Sequence, residues 1–143
     1  MIPCVRHRDS VRFSLISPGG FCLLAAFGAA ARAFGQDFII TSGTDGTHSG
    51  PQDPHKLGRA YDGHSKDFPD KAAVILAVLR AADSSIAPFP LAGGYATNYF
   101  FMWLENEETA EEHFHAQVRH GVEYPPATQS NAWNVQEAAV DEN

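Results

Sequence analysis

The chain has 143 residues, 44% of them hydrophobic, and a formal net charge of −7. That length supports one domain with a single sizeable core. The acidic balance removes the electrostatic case for nucleic acid or an anionic membrane surface as a partner. Cys4 and Cys22 match no zinc spacing and read as free thiols of a reducing compartment.

Residues 1–19 form a lead-in. Within it Val11, Phe13 and Leu15 alternate with polar residues, which predicts a short strand, and Pro18-Gly19-Gly20 ends it. The following FCLLAAFGAAARAFG, with Arg6, Arg8 and Arg12 ahead of it, has the outline of a secretory signal. Its apolar run is short and Arg32 interrupts it, so the expectation is a core helix over about 20–34, too short to span a membrane. Leu24, Phe27, Ala31 and Phe34 are expected on its buried face, with Gly35 at its C-terminus. Phe38–Thr41 reads as a central strand. Residues 42–57 form a loop stiffened by Pro51 and Pro54, and Arg59–Gly63 reads as the next strand.

A second helix opens around Phe68-Pro69-Asp70, with Pro69 suited to its first turn. Ala72, Ile75, Leu76 and Leu79 form its expected core stripe, and Arg80 in the last turn complements the helix dipole. Pro88, Pro90, Gly93 and Gly94 mark a turn-rich connector. Asn98–Leu104 reads as a buried strand, its aromatics serving the core rather than stacking on a ligand. The acidic run 105–112 is a loop, and His113–Val118 alternates as the last strand. Residues 119–143 form a polar C-terminal extension to a domain spanning 1–118.

Chemistry concentrates in two stretches, TSGTDGTHSGPQDPHKLGRAYD (41–62) and EHFHAQV (112–118). In the first, His55 and Asp62 are separated by six residues that include Gly58 and Ala60. Gly58 permits a sharp turn and Ala60 leaves room beneath the site. An imidazole and a carboxylate so placed suit a borderline-soft ion such as Zn2+. A third ligand is available in the His113-Phe114-His115 run, whose two histidines share one face of a strand.

The succession ITSG, DGTHS, HKLGRAYD and then HFHAQV resembles the zinc-peptidase superfamily of D-alanyl-D-alanine peptidases, L-alanyl-D-glutamate endopeptidases and the hedgehog signalling domain. The family pattern His-x-x-Gly-x-Ala-x-Asp is met by His55, Gly58, Ala60 and Asp62, and the resemblance extends over about 20–118. It implies an α+β fold of the hedgehog/DD-peptidase kind: a small antiparallel sheet, helices packed on one side, and a zinc site on the sheet. It implies His55, Asp62 and His115 as zinc ligands. A zinc ion with an open position lowers the pKa of water towards ~7 and polarises a carbonyl, and a base must carry the proton to the leaving amine. Glu112, three residues before His115, matches the family's Glu-x-Trp-His arrangement with Phe114 in place of tryptophan. His113 is the rival base, and Glu108 and Glu111 lie close in sequence. On an unbroken strand Glu112 faces away from the site, so its role requires a bend before His113. His48 resembles a family position near the reacting oxygen atoms.

Many D-alanyl-D-alanine peptidases carry an arginine shortly after the SG of this strand, where Thr44-Asp45-Gly46 stands here. The expected activity is therefore endopeptidase cleavage of peptidoglycan stem peptides, with Arg59 a candidate substitute for the missing arginine. A phage or prophage lysis enzyme is the expected setting, accumulating in the cytoplasm before release or carried on a virion. The alternative is a module of the same fold that holds zinc and binds without cleaving.

Overall fold

The computed structural model describes residues 2–124. In chain order the elements are β1 (Val5–His7), α1 (Pro18–Phe34), β2 (Phe38–Ser42), β3 (Ala60–His64), α2 (Lys71–Ala82), β4 (Phe89–Leu91), β5 (Gly94–Ala96), β6 (Phe100–Glu105) and β7 (His113–Val118). The strands form one seven-stranded sheet in the order β1-β2-β3-β7-β6-β5-β4. The fold is α+β, as expected, but the sheet is larger than the small antiparallel one predicted. It is also mixed, because β1 pairs with β2 in parallel.

Val11–Leu15 is not a strand. Val11 is nonetheless buried, and Phe13 packs on the core. The backbone of this segment is bonded to the loop after β2 instead of to a ladder. Thr44 N–H donates to Arg12 O, and Ser14 N–H donates to the Thr44 hydroxyl. The strand is Val5–His7 upstream.

The two helices start where their caps dictate. Ser17 Oγ accepts from Gly20 N–H at 3.0 Å, and Pro18 takes the first turn of α1, where its missing N–H costs nothing. Pro18 therefore opens the helix that it was expected to precede. In α2 the roles fall the other way. Asp70 is the N-cap, accepting from Ala73 N–H, and Pro69 stands outside the helix. The buried stripe of α2 is Val74, Ile75, Val78, Leu79 and Ala82, turned from the expected one, and Ala72 is exposed. In α1 the stripe is Leu23, Ala26, Phe27, Ala30 and Ala31, with Phe34 at its exposed margin.

Both helices lie on one face of the sheet. Phe27 of α1 stacks on Phe38 of β2 at 4.2 Å between ring centroids, and Phe38 stacks on Phe114 of β7 at 5.9 Å. Phe100 and Met102 of β6 and Val74 and Val78 of α2 complete the same core. Each such side chain contributes about 1.5–3 kcal/mol on burial. With Phe100, Met102, Phe114 and Ala116 facing the helices, strand alternation turns Phe101, Trp103, His113 and His115 to the opposite face.

The connector expected between α2 and β6 contains the hairpin β4–β5. Its two-residue turn is Ala92-Gly93, with Gly93 at φ +76°. Beyond β7, residues 119–124 pack against the domain. The Arg59 guanidinium donates to the carbonyls of Arg119 and Val122, and Tyr124 packs against Tyr99 and Phe100. The expectation for the rest of the polar extension falls on 125–143, outside the described residues. Cys4 and Cys22 are free thiols. No helix among the described residues is long and apolar enough to cross a membrane.

Candidate metal centre

Register brings the site together. Ser42 of β2 is paired with Asp62 of β3, Asp62 with His115 of β7, and His115 with Trp103 of β6. These four side chains form a row across the open face. The loop between β2 and β3 folds His55 over that row.

The resulting geometry could hold a metal ion. Asp62 Oδ1 lies 3.1 Å from His55 Nε2 and 3.0 Å from His115 Nδ1. Ligand atoms of His55, Asp62 and His115 all fall within 4.8 Å of one another. Each imidazole is held from behind in the tautomer that metal binding needs. His55 Nδ1–H donates to Asp53 Oδ1 at 2.8 Å, which leaves its Nε2 lone pair towards Asp62. His115 Nε2–H donates to Gln117 Oε1 at 2.7 Å, which leaves its Nδ1 lone pair towards Asp62. His55 Nε2 is buried and has no hydrogen-bond partner. Two nitrogen lone pairs and a carboxylate oxygen about 3 Å apart repel one another unless a cation or a proton lies between them. The arrangement of ligand, imidazole and outer carboxylate in Asp53–His55 is the usual support of a metal-binding histidine.

Electrostatics follow from this crowding. Burial alone would raise the pKa of the Asp62 carboxyl, but the adjacent His115 and His55 hold it well below the carboxylate range. Burial opposes charging of His55, yet Asp62 and then Asp53 outweigh it and raise the imidazole's pKa. Asp53 is likewise held low against its own burial, by the Ser49 hydroxyl and the N–H groups of His55.

His48 lies outside the three ligands. Its ring stacks on His55 at 4.0 Å and 4° between planes, and its Nε2 is 3.2 Å from Ser42 Oγ. His48 holds this position at φ +45°, a conformation unfavourable for a residue with a Cβ. His48, Asp53 and His55 also form a second group able to hold an ion, sharing His55 with the first. His113 reaches the site: its Nδ1–H donates to Glu111 O, and its Nε2 stands 3.9 Å from Asp62 Oδ1. Of the other histidines, His64 stands beside Asp67, His7 packs on Phe13, and His120 contacts Gln117.

Glu112 is placed differently. Its carboxylate is bonded to Lys71 Nζ, to the Ser65 hydroxyl at 2.7 Å and to Glu108 N–H at 3.0 Å. The side chain is 4% exposed. The Lys71 hydrogen bond above all, then those of Glu108 and Ser65, lowers its pKa to about 2. Because the folded value lies below the unfolded one, the stabilisation is present above about pH 4.5 and lost as pH falls towards 2. We expect Glu112→Gln to destabilise the fold by about 2–3 kcal/mol at neutral pH. The difference from the parent should shrink below pH 4 in urea titrations, and zinc binding should be retained. Equal stability of the two proteins at pH 7 would refute the structural role.

Glu105, which sequence spacing did not single out, lies at the site. Its Oε1 is 3.4 Å from His115 Nδ1 and its Oε2 is 3.5 Å from His113 Nε2. Only the pairing of β6 with β7 reveals this. Asp53 could have been suspected from its place two residues before His55. Arg59, the candidate carboxylate anchor, is bonded to the backbone of Arg119 and Val122. A cavity of about 370 Å3 opens beside Asp62 and His113.

Compared with protein-family models, curated proteins and solved structures, the chain has no match.

Proposed function

We propose that the chain is a zinc-dependent peptidase that hydrolyses peptide bonds in the stem peptides of bacterial peptidoglycan. The observation that carries this reading is the convergence of the His55 Nε2 and His115 Nδ1 lone pairs on Asp62 Oδ1, with both tautomers fixed from behind. Two imidazoles and one carboxylate are a donor set of catalytic zinc, which keeps a position open for substrate or water. The resemblance of HKLGRAYD and HFHAQV to cell-wall peptidases supports peptide chemistry and that substrate class. When bound, zinc would polarise the scissile carbonyl and promote attack by water. Asp53 and Gln117 orient the two imidazoles. His113 turns its Nε2 into the site, 3.9 Å from Asp62 Oδ1, and lines the adjoining cavity. The adjoining cavity gives a peptide room beside Asp62.

Purified peptidoglycan incubated with the zinc-loaded protein should release new amino groups, detected by mass spectrometry on the stem peptides. An unstructured protein such as casein should survive the same treatment. A second reading, a zinc-containing module that binds without cleaving, is favoured by one observation: Glu112 is committed to Lys71 and Ser65. Wall peptides left intact after long incubation would establish that reading over the first.

A further inference from the structure

We infer that Glu105 is the proton carrier of this site, an inference that rests on the hydrolase reading above. A water that attacks a carbonyl carbon must lose a proton, and the departing amine must gain one. A general base within reach of both events is required, and a carboxylate can serve. Three carboxylates near the cluster are already engaged. Asp62 is a ligand, Asp53 is bonded to His55 and Ser49, and Glu112 is bonded to Lys71 and Ser65.

Glu105 is a further carboxylate at the cluster, in contact with two of its imidazoles. It ends β6, directly opposite His113 and diagonal to His115, on the face that carries the ligands. Each of its oxygens faces a site imidazole, at 3.4 and 3.5 Å. Its side chain is 37% exposed, against 7–15% for His55, Asp62 and His115. It is therefore open to an arriving peptide. It is not part of the group of His55, Asp62 and His115 whose atoms lie within 4.8 Å of one another. The following Asn106, at φ +53°, ends the strand just beyond it.

The step balances without a further reactant. The water oxygen bonds to the carbonyl carbon while one of its protons passes to a Glu105 oxygen. As the carbon–nitrogen bond breaks, that proton moves to the amine nitrogen, giving a carboxylic acid and a free amine and restoring Glu105. His113, whose Nδ1–H is anchored on Glu111 O, places its Nε2 3.5 Å from Glu105 Oε2.

The test is Glu105→Gln in the full chain, with two readouts. Zinc affinity is measured by calorimetric titration, and hydrolysis is followed on a soluble stem peptide. We expect unchanged zinc affinity and KM, and a kcat lowered by about 10²–10⁴-fold. Zinc affinity weakened tenfold or more would make Glu105 a ligand and overturn the proposal. So would a kcat near that of the parent, which would leave the hydrolase reading standing. A parent protein that binds zinc but cleaves no stem peptide removes the hydrolase reading and the role of Glu105 with it.

Discussion

Asp62→Ala should abolish stoichiometric zinc binding. Asp62 Oδ1 is the point on which both imidazole lone pairs converge, so its removal deletes one ligand and frees the other two to separate. Altering an outer partner of a ligating histidine typically weakens binding by about 10–100-fold, and loss of the central ligand must exceed that. Elemental analysis after dialysis should find one zinc per parent chain and none in the variant. Asp53→Ala, which releases His55 Nδ1 without removing one of the three ligands, should fall between the two. Affinity should also decline in acid, because the ligands must be deprotonated to bind and the raised pKa of His55 makes a proton a stronger competitor there. The core of Phe27, Phe38, Phe100 and Phe114 lies on the other face of the sheet, so far-ultraviolet circular dichroism of Asp62→Ala should match that of the parent. A parent protein without stoichiometric metal would refute the site.

The second large effect is expected at Gly58. This residue has φ +67°, and a Cβ there would stand 2.1 Å from the carbonyl oxygen of Leu15 and 2.8 Å from the Cα of Ile16. Both obstacles are backbone and cannot turn aside. Its own carbonyl accepts from Ser17 N–H at 3.0 Å and Ser17 Oγ at 2.9 Å, so it ties the cap of α1 to the loop that carries His55. Adding a methyl group requires an unfavourable left-handed conformation, about 1–2 kcal/mol, and a displacement of the lead-in segment. We expect Gly58→Ala to cost at least about 3 kcal/mol. In a thermal melt of the zinc-free protein that corresponds to a Tm lower by roughly 10 °C or more. A Tm within about 2 °C of the parent would contradict this packing.

The sequence made the ends of the site legible more readily than its middle. The spacing of His55, Gly58, Ala60 and Asp62 and the bounds of His113–Val118 are local patterns, and strands stand at Ala60–His64 and His113–Val118. Glu105, Gln117 and Trp103 reach His115 through strand register or a tight side-chain bond, which spacing does not encode. Glu112 illustrates the same limit: its partners Ser65 and Lys71 lie more than forty positions away. Among the elements, β4–β5 was hidden because Pro90 and Gly94 read as breakers, whereas an edge strand tolerates proline and the turn uses Gly93. Val11, Phe13 and Leu15 carried a strand pattern because two of them do pack on the core, although the neighbouring backbone bonds to loop groups.

The pairing of Asp62 with His115 spans 53 positions of chain. The group of His55, Asp62 and His115 is complete only once β3 and β7 have zipped together, and that long closure comes late in the assembly of a sheet. A bound ion would accordingly find all three side chains together only in the finished chain. Its energetic effect would fall on the escape from the native state and not on the approach to it. The ion would act as a latch on a sheet already built, lengthening the lifetime of the folded molecule while leaving its rate of formation almost untouched.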